Sequence, residues 1–149
     1  MTRIAMQLLA RTMIEPEQRR LNELVDCPAA REALRILIED IVADVFGVDA
    51  DLLRQPTRGR ARIALARQVA MYIAHIGYGL TLTEAGMVFE RDRTTVAHAC
   101  AVVEMRRDDR EFDEGVVLLE QIIRAISGTA RPHVAVEQPA SQRLHQITA

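Results

Sequence analysis

The sequence predicts an all-α protein, and three observations carry that prediction. Apolar residues recur at helical spacing along two long stretches, and capping and turn residues stand where those stretches should start and stop. No segment alternates apolar and polar residues as a half-buried strand would, and no internal repeat is visible. With 149 residues and 49% hydrophobic content, the chain suffices for one globular domain and a flexible end. The expected organisation is an N-terminal helical extension over residues 1–27, one helical domain over residues 28–127 and a disordered tail over residues 128–149.

Each element follows from local pattern. In the first 27 residues Leu21, Leu24 and Val25 are the clearest apolar group. From Pro28 the pattern sharpens: Leu34, Leu37, Ile38, Ile41, Val42 and Val45 form one continuous stripe on an amphipathic helix, with Pro28 suited to its first turn and Gly47 to its end. Asp49 can cap a short turn through Leu53 before Pro56 breaks the chain. Residues 57–62 then make a loop carrying Arg58, Arg60 and Arg62. A second helix is expected over residues 63–76, drawing its buried face from Ile63, Leu65, Val69, Ala70 and Ile73 and stopping at Gly77-Tyr78-Gly79. Thr81-Leu82-Thr83-Glu84 fits a capping box, opening a short helix that ends near Phe89. Glu90 and Arg91 make the turn, and Asp92 or Arg93 opens a helix with Val96, Ala99, Cys100 and Val103 on one face and Thr95 and His98 on the other. A last helix, residues 112–126, places Phe112, Val116, Leu119, Ile122, Ile123 and Ile126 at helical spacing. Residues 128–149 hold Pro132 and Pro139 and little periodicity.

Composition removes several classes of protein. No run of about 18 apolar residues and no basic, apolar leader is present, so the expectation is a cytoplasmic, nucleoid-associated protein with no membrane partner. Cys27 and Cys100 lie in no metal-ligand spacing and are expected to be reduced packing residues, with no metal or other cofactor. No nucleophile and base arrangement is evident, so the chain is not expected to be an enzyme. The net charge of −2 argues against a nucleic-acid binder, yet its distribution argues for one. Residues 1–56 carry 7 Arg against 10 acids, residues 57–107 carry 8 against 4, and residues 108–149 carry 4 against 7, giving −3, +4 and −3. Only the middle segment offers the positive field that phosphate contact needs. Every basic residue is Arg, a bias that codon usage explains more simply than selection for bidentate contacts.

Within that basic segment the run Arg91-Asp92-Arg93-Thr94-Thr95-Val96-Ala97-His98-Ala99-Cys100 concentrates base-reading chemistry at a helix start, directly after a short helix and turn. That is the layout of a helix-turn-helix, whose second helix enters the major groove by its first turn. Asp92 can accept from cytosine N4, Arg93 can fork onto guanine O6 and N7, and the methyls of Thr94 and Thr95 can touch thymine. Arg58, Arg60 and Arg62 suit a narrow, A/T-rich minor groove. Plainer roles stand beside these. Asp92 and Thr94 can cap the helix, one carboxylate being able to do both; Arg67 can pair with an acid at the core edge; His98 and the arginine loop can simply be solvated.

The segment from about Leu37 to Ile126 resembles the C-terminal DNA-binding domain of the bacterial replication initiator DnaA. The resemblance rests on Val48-Asp49-Ala50-Asp51-Leu52-Leu53, the basic loop, Arg67-Gln68-Val69-Ala70-Met71, Leu82-Thr83-Glu84-Ala85-Gly86, Phe89 and the run from Arg91 to Cys100, which matches the family form Arg-Asp-His-Thr-Thr-Val-x-His-Ala-Cys except at Arg93. It implies a helix-turn-helix that binds double-stranded DNA at DnaA boxes, with one helix in the major groove and the basic loop in the minor groove. By position it assigns base reading to Asp92, Arg93, Thr94 and Thr95 and phosphate contact to Arg67, Gln68, His75, Thr83, Arg91 and His98.

Three departures bear on specificity. Arg93 replaces the family's His; Leu65-Ala66-Arg67-Gln68 replaces Arg-Pro-Arg-Gln; and the family's minor-groove arginine aligns near Gly59, leaving Arg58 or Arg60 to substitute. The chain also lacks a Gly-x-x-x-x-Gly-Lys-Ser/Thr loop and any Lys, so no nucleotide is expected to bind that way, and the resemblance is to the DNA-binding domain standing alone without the AAA+ ATPase module. The expected function is sequence-specific DNA binding at DnaA-box-like sites that regulates replication initiation or transcription. The alternative is an interaction module that mimics the initiator's C-terminal surface and binds the initiator or its regulatory proteins.

Overall fold

The structure is a computed structural model that describes residues 23–56 and 59–127, and among these the regular elements are all helical. The elements are α1 (Pro28–Phe46), α2 (Ala50–Arg54), α3 (Ala61–Tyr72) with a π-helical turn at Ile73–Gly77, α4 (Leu82–Phe89), α5 (Arg93–Arg106) and α6 (Arg110–Ser127). Residues 23–26 are also helical. Most of the N-terminal extension and the whole expected tail lie outside the described residues.

Local chemistry sets the boundaries. Pro28 sits in the first turn of α1, where its missing N–H costs nothing. Gly47 closes α1 at φ 60°, and the Val48 N–H returns to the Ala43 carbonyl at 3.0 Å. The Asp49 carboxylate caps α2 by accepting from the Asp51 amide at 2.9 Å. The expected plain helix over residues 63–76 is instead α3 followed by the π turn, with the Tyr78 amide reaching the Ile73 carbonyl at 2.9 Å. Over one turn the two helix types share nearly the same apolar spacing, so the pattern could not tell them apart.

The core forms where α3 crosses α5, the most extensive helix pair, with α1 and α6 closing its sides. Leu34, Ile38 and Val42 of α1 meet Val69 and Ile73, Val96 and Val103 of α5, and Val116, Leu119 and Ile123 of α6, all buried. Leu65, expected inside, is half-buried. Val25 is buried and Leu24 packs on the cluster, so the core reaches upstream of residue 28. Cys100 is half-buried behind Val96 and Val103, whereas Cys27 is exposed: it occupies the N-cap of α1, where the chain turns outward, and is not the packing residue expected. Among the described residues no helix is long and apolar enough to cross a membrane.

A polar network joins α3, α5 and α6. The buried Tyr72 hydroxyl donates to Glu104 at 2.6 Å and accepts from Arg107 at 2.8 Å. Arg107 also binds Asp113 at 2.6 Å and the buried Glu120 at 3.0 Å, while Arg124 approaches Glu120 at 3.4 Å. Burial, and then the bond to Glu104, pushes the Tyr72 hydroxyl well above its usual pKa, so it stays neutral. Breaking a buried ion pair from one side leaves an uncompensated charge. Arg107→Ala should therefore lower unfolding free energy by about 3 kcal/mol, the low end of such losses because Arg124 still faces Glu120; urea denaturation measures it.

Candidate nucleic-acid interface

Helix α4 begins with the full capping box: the Thr81 amide donates to Glu84 Oε2 at 2.7 Å and the Glu84 amide donates to Thr81 Oγ1 at 3.2 Å. It ends at Glu90, a non-glycine residue held in the left-handed region at φ 54°. That conformation lets the next strand of backbone fold tightly against α4. The Arg91 amide returns to the Gly86 carbonyl at 2.9 Å, and a β-carbon on Gly86 would stand 2.5 Å from the Arg91 carbonyl oxygen. Only glycine admits this approach. The Glu90 carboxylate accepts from Arg35 Nη1 of α1 at 3.3 Å, tying the turn to the body of the domain.

Helix α5 opens immediately after that turn. Asp92 is its N-cap: Oδ1 accepts from the Thr95 amide at 2.7 Å and from the Thr94 hydroxyl at 2.5 Å. Those bonds, the one from Thr94 first, hold the carboxyl below its ordinary value of 3.8. Arg91, Asp92, Arg93 and Thr94 are all exposed, Thr95 is half-buried, and His98 is exposed one turn further on. Arg93 and Arg91 make no ion pair among the described residues.

Beside this surface lies a groove of about 410 Å³ between α1, α3 and the start of α5, along which Gln68, Arg91, Thr95 and His98 come together with Arg67. Arg67 itself is drawn inward. Its Nη2 donates to the carbonyls of Leu52 at 2.6 Å and Gln55 at 2.7 Å, and its Nε donates to Leu53 at 2.9 Å, so it caps the C-terminal end of α2. These hydrogen bonds go to carbonyls, while the buried Glu39 is a nearby opposite charge. Burial, then the nearby Arg91 charge, lowers the pKa of Arg67.

Other sequence-predicted residues stand apart from the groove. His75, in the π turn, has Nδ1 at 2.6 Å from the Leu80 carbonyl, a bond that needs the proton on Nδ1 and leaves Nε2 as the second ring nitrogen. Thr83 is exposed in the first turn of α4. Of the arginine loop, Arg60 is exposed at the N-cap of α3, and Arg62 turns back to donate to the Phe46 carbonyl at the end of α1 at 2.6 Å. Arg58 lies outside the described residues.

Sequence reasoning passed over the acid in this region. Glu39 is 3% exposed, accepting from Arg35 at 3.1 Å and Arg54 at 3.1 Å. Its signal was an acid beside the apolar stripe of α1, four residues after an arginine. Among the described residues no cluster of His, Cys, Asp or Glu could hold a metal ion.

A short helix, a tight turn and a second helix presenting its first turn to solvent define a helix-turn-helix protein. Residues 36–103 match the family model described as the bacterial dnaA protein helix-turn-helix, so that segment is a helix-turn-helix of this kind. Relatives include proteins named chromosomal replication initiator protein DnaA from Synechococcus sp. (strain JA-2-3B'a(2-13)), 31% identical over 66% of this chain and 21% of the relative, and from Corynebacterium aurimucosum, 33% identical over 68% and 19%. The same named protein from Azoarcus sp. (strain BH72) is 36% identical over 58% and 18%. The chain thus spans about a fifth of the length of the curated relatives it matches.

Two outcomes follow from this geometry. Gly86→Ala should cost about 2–3 kcal/mol, since backbone rather than a side-chain tip must move, and amide exchange should quicken at residues 86–95. For the Asp92 cap, a native pKa below the unfolded value means its contribution is complete above pH 3.8 and is lost as pH falls through the lower native value. The melting-temperature gap between the unaltered protein and Asp92→Ala should accordingly be constant near neutrality and close in acid.

Proposed function

We propose that this protein binds double-stranded DNA at DnaA-box-like sites and through them regulates replication initiation or transcription. The observation that carries the reading is the exposed first turn of α5, where Arg91, Asp92, Arg93 and Thr94 follow a turn that fixes the helix in a presenting position. The DNA-binding unit is residues 28–127, with residues 1–27 and 128–149 flanking it. Arg93, Asp92, Thr94 and Thr95 read base edges in the major groove. Asp92 does so from a fixed position, because its cap bonds set the orientation of its carboxylate.

Phosphates on either side are met by Arg91, His98 and Gln68 along the groove, by His75 in the π turn and by Thr83 at the start of α4. Arg67 supports the interface chiefly by gripping the end of α2, the element that leads into the basic loop. Arg60, with Arg58, supplies the minor-groove contact, while Arg62, in the first turn of α3, ties the end of the loop to α1.

Titration against duplexes with and without a DnaA box, at several salt concentrations, tests the reading. Specific binding should show a log-log salt slope of roughly −4 to −6, as for about five to seven phosphates. No preference for the box, with retained binding to an initiator protein or its regulators, overturns it and favours an interaction module. Arg93→Ala should remove about 1–3 kcal/mol of discrimination at one base position. An equal loss on every sequence would make Arg93 a phosphate ligand instead.

A further inference from the structure

Glu39 lies between two chains of contacts, one leading to the turn before α5 and the other to α2, the helix before the basic loop. Its oxygens are divided between them. Oε1 accepts from Arg35 Nε at 3.1 Å, and Arg35 reaches on to Glu90, the left-handed residue that ends α4 just before the recognition helix. Oε2 accepts from Arg54 Nε at 3.1 Å, and Arg54 reaches on to Asp40 at 2.5 Å, holding α2 against α1 immediately upstream of the basic loop, and to Asp51 of its own helix at 3.4 Å. A buried carboxylate has no donor of its own and needs both cations; a shift of either arginine changes the field felt by the other.

Stability alone is a poor reason for such a pair, because apolar side chains of the same volume often serve as well or better. The outer contacts, Arg35 with Glu90 and Arg54 with Asp40 and Asp51, each end on an exposed acid and are individually weak. What the arrangement does supply is a polar link between the turn before α5 and the helix before the basic loop, beside the packing of α3 on α5.

We propose that Glu39 is a positioning residue that couples the recognition helix to the basic loop, so that major-groove and minor-groove readings are made in one register. This rests on the DNA-reading proposal above. Glu39 touches no base or phosphate in this scheme; it acts through Arg35 on the turn and through Arg54 on α2.

The test uses the full chain, the variant Glu39→Gln, and a duplex bearing the box together with copies each changed at one base pair. Glu39→Gln should keep the helical signal and should not weaken binding to a box-free duplex, since it removes a negative charge. Its preference for the box should fall about tenfold, with the loss divided between positions under α5 and flanking A/T positions. Arg35→Gln and Arg54→Gln should each lose discrimination at both sets of positions, the first more under α5 and the second more at the flanks. An unchanged preference in Glu39→Gln, or an equal loss on both duplexes, overturns the proposal. If Glu39→Gln does not fold, the two arginine variants decide in the same way. Amide resonances of the free protein separate this proposal from the DNA reading: Arg54→Gln should move the Arg91 amide and Arg35→Gln the Gly59 amide. Effects confined to each variant's own side refute the coupling whether or not the protein prefers the box.

Discussion

The Arg91 carbonyl lies where a β-carbon on residue 86 would stand, and this contact sets the geometry of everything the helix-turn-helix displays. A backbone without a side chain lets the turn close directly on α4, and the closure in turn requires Glu90 to take the left-handed conformation that most residues avoid. Asp92 then falls at the helix N-cap, where its carboxylate gathers the Thr94 hydroxyl and the Thr95 amide. The polar edge of the recognition helix is therefore organised by backbone sterics before any ligand arrives. Such preorganisation reduces the ordering cost that DNA binding would otherwise carry.

Arginine does two separate jobs in this chain. Of the eight arginines between residues 57 and 107, Arg62 and Arg67 are spent on backbone carbonyls and Arg107 on the Tyr72 and Glu120 network. Arg60, Arg91, Arg93 and Arg106 are exposed, and so is Arg62 despite its carbonyl bond. The planar guanidinium makes the first job possible: Arg67 reaches three carbonyls of one helix end from a single side chain, a geometry an ammonium cannot reproduce. The excess of positive charge in the middle segment is real, but less of it faces solvent than the count implies. The field at the proposed interface is correspondingly local, centred on the start of α5.

Much of the fold could be read from apolar spacing and caps, because those signals act over a few residues. The stripe of α1, the Thr81-Glu84 capping box and the break before Asp92 all depend on neighbours in the chain, and each stands where its local chemistry places it. The exposed polar turn of α5 was legible for the same reason. The partners of Arg67, Arg62 and Glu39 were not. Apart from Arg35, four residues before Glu39 on the same helix, they lie 12 to 16 residues away, and a charged side chain's sequence neighbours do not reveal which carbonyl or acid will come within reach after packing. Cys27 failed in the opposite direction: apolar character made it a core candidate, but its place before Pro28 turned it outward.

By itself, the sequence determined the helical class, the order of the elements, the caps at Asp49, Thr81 and Asp92 and the polar residues at the head of α5, since hydrogen-bond periodicity and apolar spacing are local properties. Tertiary structure alone decided which arginines face solvent and which are absorbed into the scaffold. It also decided the π turn that carries His75, and the burial of Glu39 between the turn before α5 and the helix before the basic loop. The physical reason is the same in each case: the energy of a charge or a polar atom depends on what surrounds it in space, and only packing brings those surroundings together.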